Sequence, residues 1–246
     1  MSENLARFRD RADDYAKHRP SYPAALFMEP GLSALFTRTE LAADVGAGTG
    51  LFTRQLAAVV RKIVAIEPEP AMCAEASAFL RDHANIEVRQ GRAEATGLAA
   101  ASVDLVTVAQ AFHWFDRATF RTEARRILRP GGAVLIVRNQ RCKDDPFMQD
   151  YETSIRQHEV RPAVRATEAE ITAFFPAGCA TCVVPWSEDI DHATFLGRVR
   201  SNSTMPRPDH PAYAGMTAEV DRLFIRWQRD GQVRYAYQCQ AWWGAP

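Results

Sequence analysis

The sequence of 246 residues has no excess of charge of either sign. Thirty Lys and Arg residues balance thirty Asp and Glu residues, so the formal net charge at pH 7 is zero. Proteins that bind nucleic acid through its phosphates carry a basic surface, and so do proteins held on anionic membranes. We therefore predict that neither nucleic acid nor a membrane is a partner of this protein.

We also expect no secretory leader, and long apolar runs are missing from the sequence. The first seven residues, MSENLAR, are polar and charged, which is not the pattern of a signal peptide. The apolar run at residues 133–137 is far shorter than the about 20 residues that an α-helix needs to span a bilayer. We therefore expect a cytoplasmic protein.

Cysteine is scarce, and the count of five is odd. In a cytosolic chain this argues against a disulfide framework. Cys179 and Cys182 form a Cys-x-x-Cys, but no second ligand pair accompanies them, so we predict no metal site. The motif runs into Val183 and Val184, which favour a strand, whereas a redox motif sits at the start of a helix.

What the sequence does have is a glycine turn, Asp44-Val45-Gly46-Ala47-Gly48-Thr49-Gly50. An apolar run precedes it and a helical pattern follows, which predicts strand, turn and helix. The glycines permit positive φ and close approach of a ligand to the backbone. No Gly-Lys-Ser/Thr closes the turn, and Leu51 stands where a dinucleotide fingerprint has its third glycine. Asp44 would repel a pyrophosphate and favours a cationic ligand with an amino group.

This turn resembles the first motif of class I S-adenosylmethionine (SAM)-dependent methyltransferases. Four further segments resemble that family in the expected order, at residues 63–68, 91–94, 104–115 and 129–132. The N-terminal segment at residues 15–23 resembles a narrower group that acts on small molecules. That group includes trans-aconitate methyltransferase-like and type 11 methyltransferases.

The fold prediction combines this resemblance with the alternation of strand and helix patterns from residue 41 to residue 137. Such alternation predicts a parallel sheet with right-handed crossovers. We expect an α/β fold with a doubly wound, mostly parallel, Rossmann-like sheet of seven strands and an antiparallel last strand. We predict a single domain over residues 1–246. Residues 1–20 would be an N-terminal lid, and residues 138–230 would supply helical cap elements after strand five.

The resemblance implies SAM as the cofactor. Glu67, which precedes Pro68 at the end of the second strand, would have an exposed carboxylate that accepts hydrogen bonds from both ribose hydroxyls. Gly46 and Gly48 would approach the methionine part of the cofactor. Ala93 and Glu94 would lie beside adenine, although Arg92 stands where the family often has aspartate. The predicted cofactor-binding residues are Tyr15, Arg19, Asp44, Gly46, Ala47, Gly48, Glu67, Pro68, Ala93, Glu94, Gln110, Phe112 and Trp114.

His113 is the candidate catalytic residue. Its ordinary pKa suits a general base, but a histidine beside Trp114 can also serve only to position the acceptor. We favour the positional role, because the trans-aconitate-like resemblance favours an acceptor that is already a nucleophile. Trp114 would shield the sulfonium, and Arg19 would pair with a ligand carboxylate. In the cap, Arg198, Arg200, Ser201, Ser203 and Tyr213 suit either a carboxylate site or a solvated face.

The leading hypothesis is in-line transfer of a methyl group from SAM to a small molecule, with a carboxylate or another oxygen as the candidate acceptor. Two alternatives stay open at this point. One is a nucleotide-dependent oxidoreductase on a Rossmann-like sheet, and the other is a non-catalytic SAM-binding protein. The sequence leaves the acceptor, the methylated element and the oligomeric state undetermined.

Overall fold

The structure is a computed structural model that describes residues 19–246. Within this range seven strands form one sheet: β1 (Leu41–Val45), β2 (Lys62–Glu67), β3 (Ile86–Gln90), β4 (Val103–Ala109), β5 (Leu128–Arg141), β6 (Ala180–Asp191) and β7 (Gln232–Gly244). Their spatial order is β3-β2-β1-β4-β5-β7-β6. The first five strands are parallel, and β7 is antiparallel to both β5 and β6. The predicted seven-stranded fold with an antiparallel last strand is confirmed.

The helices of the described range are α1 (Ala24–Met28), α2 (Pro30–Thr37), α3 (Leu51–Leu56), α4 (Pro70–Leu80), α5 (Arg117–Ile127), α6 (Pro146–Arg156), α7 (Glu168–Thr172), α8 (His192–Arg200) and α9 (Tyr213–Trp227). The sequence pattern predicts one helix over residues 24–35, and this is wrong. Glu29 precedes Pro30 and adopts ψ 129°, which a helix does not allow. Its carboxylate accepts a hydrogen bond from the amide of Leu32 at 2.8 Å and caps the second helix.

Alternate residues of each parallel strand face opposite sides of the sheet and join separate apolar clusters. Ala43 and Val45 of β1 pack in one cluster, with α5, whereas Ala42 packs in the other, with α1 to α3. A third cluster lies among α6, α8, α9 and β7. No helix of residues 19–246 has the length and apolar character required to cross a bilayer.

Strand β5 continues well beyond its predicted end at residue 137. Residues 138–141 are polar, but each pairs with a residue of β7, from Arg138 with Gln240 to Arg141 with Tyr237. The antiparallel partner thus holds a polar segment in extended conformation. This extension carries arginine side chains past the parallel part of the sheet and toward the helices of the cap.

The order of the strands determines where a ligand can bind. The chain passes from β1 outward to β2 and β3 and then returns to β4 on the other side of β1. The carboxyl ends of β1 and β4 therefore form the topological switch point, where the loops separate and leave a crevice.

Candidate active site

The glycine turn follows β1 at this crevice. Gly46, Gly48 and Gly50 have φ of 71°, 59° and 87°, which side chains with a Cβ adopt only at a cost. A Cβ on Gly46 would lie 2.6 Å from the Cβ of Ala111 in the loop after β4. Gly46 therefore allows close packing of two loops as well as the turn itself.

Two buried carboxylates flank the turn. Asp44 is 1% exposed and accepts hydrogen bonds from the hydroxyls of Thr53, at 2.6 Å, and Thr107, at 2.8 Å. Glu67 is 7% exposed and accepts from the amides of Gly48, at 2.9 Å, and Glu69, at 3.0 Å. The expectation that the Glu67 carboxylate is exposed is wrong, because these two peptide groups fold over it.

Burial disfavours the ionised form of both carboxylates. Burial raises the pKa of Asp44 to about 6, against the two threonine hydrogen bonds. Burial also raises the pKa of Glu67, opposed by the amides of Glu69 and Gly48. Within residues 19–246 neither carboxylate forms an ion pair with Lys, Arg or His. A cation bound beside them would lower both pKa values.

A small cavity, here called the turn cavity, lies between the glycine turn and the chain around Arg19 and Pro20. Its volume is about 40 Å³, and Asp44 and Gln110 are among its lining residues. Thr49 also lines it, and the buried hydroxyl of Thr49 has no hydrogen-bond partner within the described part of the chain. A buried hydroxyl left in this state is costly, so this atom is available to a ligand.

Gln110, at the end of β4, has the left-handed φ of 58° that non-glycine residues rarely adopt. Its amide donates to the carbonyl of Val137 at 3.0 Å, and its side-chain Nε2 donates to the carbonyl of Asn139 at 3.0 Å. These two bonds to β5 hold the strained residue in place. Strain of this kind concentrates at functional sites.

The next residues form a single 3₁₀ turn, Phe112–Trp114. Phe112 is buried and contacts the ring of Phe174 edge-on, with ring centroids 5.3 Å apart. The rings of His113 and Trp114 have centroids 4.7 Å apart. Packing of Phe112 thus anchors the turn and fixes where the histidine lies.

The pKa of His113 lies far below its ordinary value. Burial lowers it to about 4, together with the positive charges of four arginines, in decreasing order Arg19, Arg165, Arg138 and Arg117. The imidazole is therefore neutral at physiological pH. A neutral imidazole can donate one hydrogen bond and accept another.

A much larger cavity, here called the cap cavity, lies between the carboxyl end of the sheet and the helices that follow β5. Its volume is about 660 Å³. Of the described residues that line it, seven are cationic and only Glu152 is acidic; the seven are Arg19, Arg138, Arg141, Lys143, Arg156, Arg165 and Arg198. Arg19, Pro20 and Gln110 line both cavities, so the two meet at these residues.

Several of these positive charges have no acidic partner in contact. Arg138 donates to the carbonyl of Ala166 at 2.7 Å and to the amide oxygen of Gln240 at 2.8 Å, both neutral groups. Arg165 forms no hydrogen bond or ion pair with residues 19–246. Arg198 differs, because it pairs with Glu188 at 2.8 Å. The cap cavity is therefore a site of positive potential.

Comparison with known proteins finds methyltransferases that are similar over most of the chain. Residues 43–136 match a family model described as a methyltransferase domain. An uncharacterised methyltransferase-like protein of Schizosaccharomyces pombe is 26% identical over 246 residues, which cover 97% of this chain and 94% of that protein. An uncharacterised methyltransferase of Mycobacterium tuberculosis is 39% identical over 127 residues, 52% of this chain and 49% of that protein.

A solved structure agrees over nearly the whole chain. It is described as a type II methyltransferase from Anaeromyxobacter dehalogenans, and it is 27% identical with a TM-score of 0.72. The match covers 92% of this chain and 97% of that one. The protein is a methyltransferase of the class I fold. That assignment confirms the resemblance of the glycine turn and implies the use of SAM.

The methyltransferase brings only some of the predicted residues together. Arg19, Asp44, Gly46, Ala47, Gly48 and Gln110 line the turn cavity, and Phe112, His113 and Trp114 line the cap cavity with Arg19 and Gln110. Glu67, Pro68, Ala93 and Glu94 line neither of these cavities. Tyr15 and most of the predicted lid lie outside the described residues.

Glu94, predicted beside adenine, has protein partners of its own. Its carboxylate accepts from the amide of Asp116 at 3.0 Å, and it lies 3.5 Å from Nε of Arg92. Glu94 thus joins the loop after β3 to the start of α5, where Asp116 is the N-cap. The departure from the family at Arg92 is also explained, because this arginine pairs with Glu94.

Sequence reasoning missed most of the cap cavity of the methyltransferase. Arg138, Arg141, Tyr151, Arg165 and Tyr235 all line it. Among the cap candidates named from the sequence, Arg198 and Ser203 line it, whereas Arg200, Ser201 and Tyr213 do not. The available signal was the polar segment at residues 138–141, which directly continues an apolar strand toward the ligand-binding edge.

Proposed function

We propose that this protein transfers a methyl group from SAM to an oxygen, preferably a carboxylate oxygen, of a small anionic acceptor. The observation that carries this proposal is the opposite charge of two adjoining cavities. Among residues 19–246, the turn cavity contains a buried carboxylate without a cationic partner, and seven cationic residues line the cap cavity. They meet at Gln110, so a cationic donor and an anionic acceptor would be brought end to end.

The donor set around the turn cavity fits SAM. Its amino group would lie beside Asp44, whose carboxylate has free lone pairs after its two threonine hydrogen bonds. The orphan hydroxyl of Thr49 and the amides of the turn would bind polar atoms of the methionine part. Glu67 has accepting capacity left for ribose hydroxyls beyond its two backbone bonds. When bound, SAM supplies an activated methyl group on a positively charged sulfur.

Entry of the cofactor requires the chain around Arg19 to move. A cavity of about 40 Å³ holds a few water molecules, not a nucleoside. Arg19 and Pro20 close it on one side, and Arg19 donates from Nη2 to the carbonyl of Ser201 at 3.1 Å, at the end of α8. Displacing this segment would open the crevice and change its contact with the cap.

On the acceptor side, the residues bind and orient. A carboxylate acceptor is already ionised at pH 7 and needs no base. Arg138 and Arg165 would hold it, and the neutral His113 would donate one hydrogen bond that fixes its direction. Correct orientation of two reactants can contribute about 7–11 kcal/mol to lowering the barrier. The positional role of His113 is part of this proposal.

The alternative of a nucleotide-dependent oxidoreductase is less well supported. Its pyrophosphate would have to lie on the glycine turn beside Asp44, a buried carboxylate without a cationic partner within residues 19–246. The second alternative, a SAM-binding protein without turnover, is separated from the proposal by an activity measurement.

The experiment combines binding and transfer. Calorimetry should detect SAM but not NAD. Label from tritiated-methyl SAM should then enter small carboxylates as base-labile esters, and should not enter neutral amines or catechols. Binding without transfer to any acceptor of the panel, or transfer confined to neutral amines, would overturn the proposal.

A matched pair of variants tests the cationic cavity. Arg165→Gln should raise the KM for a carboxylate acceptor by roughly tenfold, because a charge-assisted hydrogen bond is lost. Arg161→Gln is the control, since Arg161 is exposed in the same segment and does not line the cavity. Equal KM values for the two variants would contradict the role given to Arg165.

A further inference from the structure

The cap cavity contains the hydroxyl groups of two tyrosines that are otherwise buried. Tyr151 of α6 is 2% exposed and Tyr235 of β7 is 1% exposed, and both line the cavity. Neither hydroxyl forms a hydrogen bond with any of residues 19–246. Neither oxygen is among the fully buried polar atoms, so both hydroxyls reach the space of the cavity and can donate to a ligand there.

A third tyrosine shows the ordinary arrangement. Tyr237, two residues further along the same face of β7, is also buried. Its hydroxyl accepts a hydrogen bond from Nη1 of Arg198 at 2.9 Å. Within residues 19–246, the hydroxyl of Tyr237 thus has a partner, whereas the hydroxyls of Tyr151 and Tyr235 have none.

Arg141 lies against the same two tyrosines. Its Nε pairs with Glu152, and its guanidinium carbon lies 4.7 Å from the centroid of the Tyr151 ring. The phenols of Tyr151 and Tyr235 both act on the pKa of Arg141, which places all three groups within interaction distance. The two terminal nitrogens of Arg141 form no hydrogen bond with the described residues. Their N–H groups therefore have no acceptor among residues 19–246.

Packing makes this cluster rigid. The rings of Tyr235 and Tyr237 stack with centroids 4.9 Å apart, and Tyr151 meets Tyr235 edge-on at 5.7 Å. Arg198 lies over the ring of Tyr235 at 5.0 Å. Donors fixed by their own packing lose little entropy when they bind a ligand.

We infer that Tyr151, Tyr235 and Arg141 form a subsite that binds a second anionic group of the acceptor, so that the substrate is a small dianion. This inference rests on the proposed methylation of an anionic acceptor. Two neutral O–H donors and a guanidinium are suited to a carboxylate or a phosphate. Arg141 follows Arg138 by three strand residues, roughly 10 Å along β5. The subsite is thus separate from the groups near His113, which hold the reacting end.

Selectivity between two acceptors tests the subsite. The acceptors are a short α,ω-dicarboxylate and the monocarboxylate of equal length; a phosphonocarboxylate of equal length distinguishes a carboxylate subsite from a phosphate subsite. Tyr235→Phe and Tyr151→Phe remove one hydroxyl each. Each should raise the KM for the dianion by roughly 10-fold or more, with kcat and the monocarboxylate reaction unchanged. Equal effects on both acceptors would overturn the subsite.

Controls separate this result from loss of structure. Tyr213→Phe removes the hydroxyl of a half-buried tyrosine outside the cavity and should leave both acceptors unchanged. Because the hydroxyls of Tyr151 and Tyr235 bond to nothing in the described chain, both Phe variants should unfold at or above the wild-type temperature. A clear fall in that temperature would show that the hydroxyls stabilise the fold, and would count against the subsite.

Direct binding makes the inference independent of turnover. The same dicarboxylate and monocarboxylate are titrated into wild type and Tyr235→Phe in a calorimeter, without donor. If wild type binds the dianion more tightly and the variant loses that preference, the subsite stands even if no methyl transfer is found. If transfer occurs but wild type shows no preference for the dianion, the subsite fails and the proposed function stands.

Discussion

Glu67 is expected to support both the fold and the cofactor, which makes its removal informative. In the ligand-free protein its carboxylate accepts the amide protons of Gly48 and Glu69. Glu67→Ala leaves both amides buried without an acceptor. A hydrogen bond to a charged group is worth about 1.5–3 kcal/mol, so the two bonds amount to about 3–6 kcal/mol.

A second effect reduces this loss. Burial raises the pKa of Glu67, so the ionised group is itself held at a cost that the alanine variant no longer has. We expect a net destabilisation of about 2–3 kcal/mol. In a protein of this size that lowers the unfolding temperature by roughly 5–10 °C. Glu67→Gln keeps one carbonyl acceptor and should lose about half as much.

Thermal unfolding of the ligand-free variants measures the first role, and calorimetry with SAM below the unfolding transition measures the second. Glu67→Ala should weaken SAM binding by about 2–4 kcal/mol, because charge-assisted bonds to the ribose are lost. Glu87→Ala is the control, since Glu87 is 56% exposed on the neighbouring strand and pairs only with Arg89 in the described chain. An unfolding temperature equal to wild type would refute the backbone role, and unchanged SAM affinity would refute the ribose role.

The remaining predictions concern two groups of the candidate site whose pKa values are shifted, Asp44 and His113. Asp44 has a folded pKa of about 6 against an ordinary 3.8, so its contribution to stability is present below pH 3.8 and is lost as pH rises to 6. Asp44→Asn should abolish that dependence in denaturation curves, and wild-type SAM affinity in this variant would contradict the proposed amino-group contact. His113 has a pKa lowered from 6.5 to about 4, so its contribution is present above pH 6.5 and is lost as pH falls. The methyl-transfer rate should be flat between pH 6 and 8 whichever role His113 has, because its pKa lies below that range. The loss of activity in His113→Asn therefore distinguishes a general base from a positioning residue. We expect a modest loss, mostly in acceptor KM, whereas a loss of 10²–10⁴-fold in kcat would show a general base.

The sequence by itself determined where the residues of the proposed donor side lie. Asp44 and the glycines are consecutive, and Glu67 ends the next strand. Parallel strands that are neighbours in sequence place their carboxyl ends at one edge of a sheet, so local patterns were sufficient to bring these groups together. The mostly parallel sheet followed from the alternation of strand and helix patterns, and the antiparallel last strand followed from the family resemblance.

Only the tertiary structure decided the environment of Glu67. An acid before a proline at a strand end predicts an exposed carboxylate. The amides that cover the carboxylate of Glu67 belong to Gly48 in the glycine turn and to Glu69 beyond the proline. Their directions depend on how two loops pack, which no local pattern contains. Local patterns also missed the contact of Glu94 with Asp116, because Glu94 lies in the loop after β3 and Asp116 in the loop after β4.

The acceptor side also depended on tertiary structure. Arg141, Tyr151 and Tyr235 come from β5, α6 and β7, and the pairing of Arg141 with Tyr237 places Arg141 on the same face of the sheet as Tyr235 and Tyr237. The polar continuation of β5 indicated a direction toward the ligand-binding edge. It did not show which other elements line the cavity, because a polar strand end and an alternating final strand are also typical of a half-solvated sheet. Hydrophobic periodicity reports which face of an element is buried, and not which distant element covers it. The cationic cavity therefore exists only because antiparallel pairing and the cap helices bring these faces together.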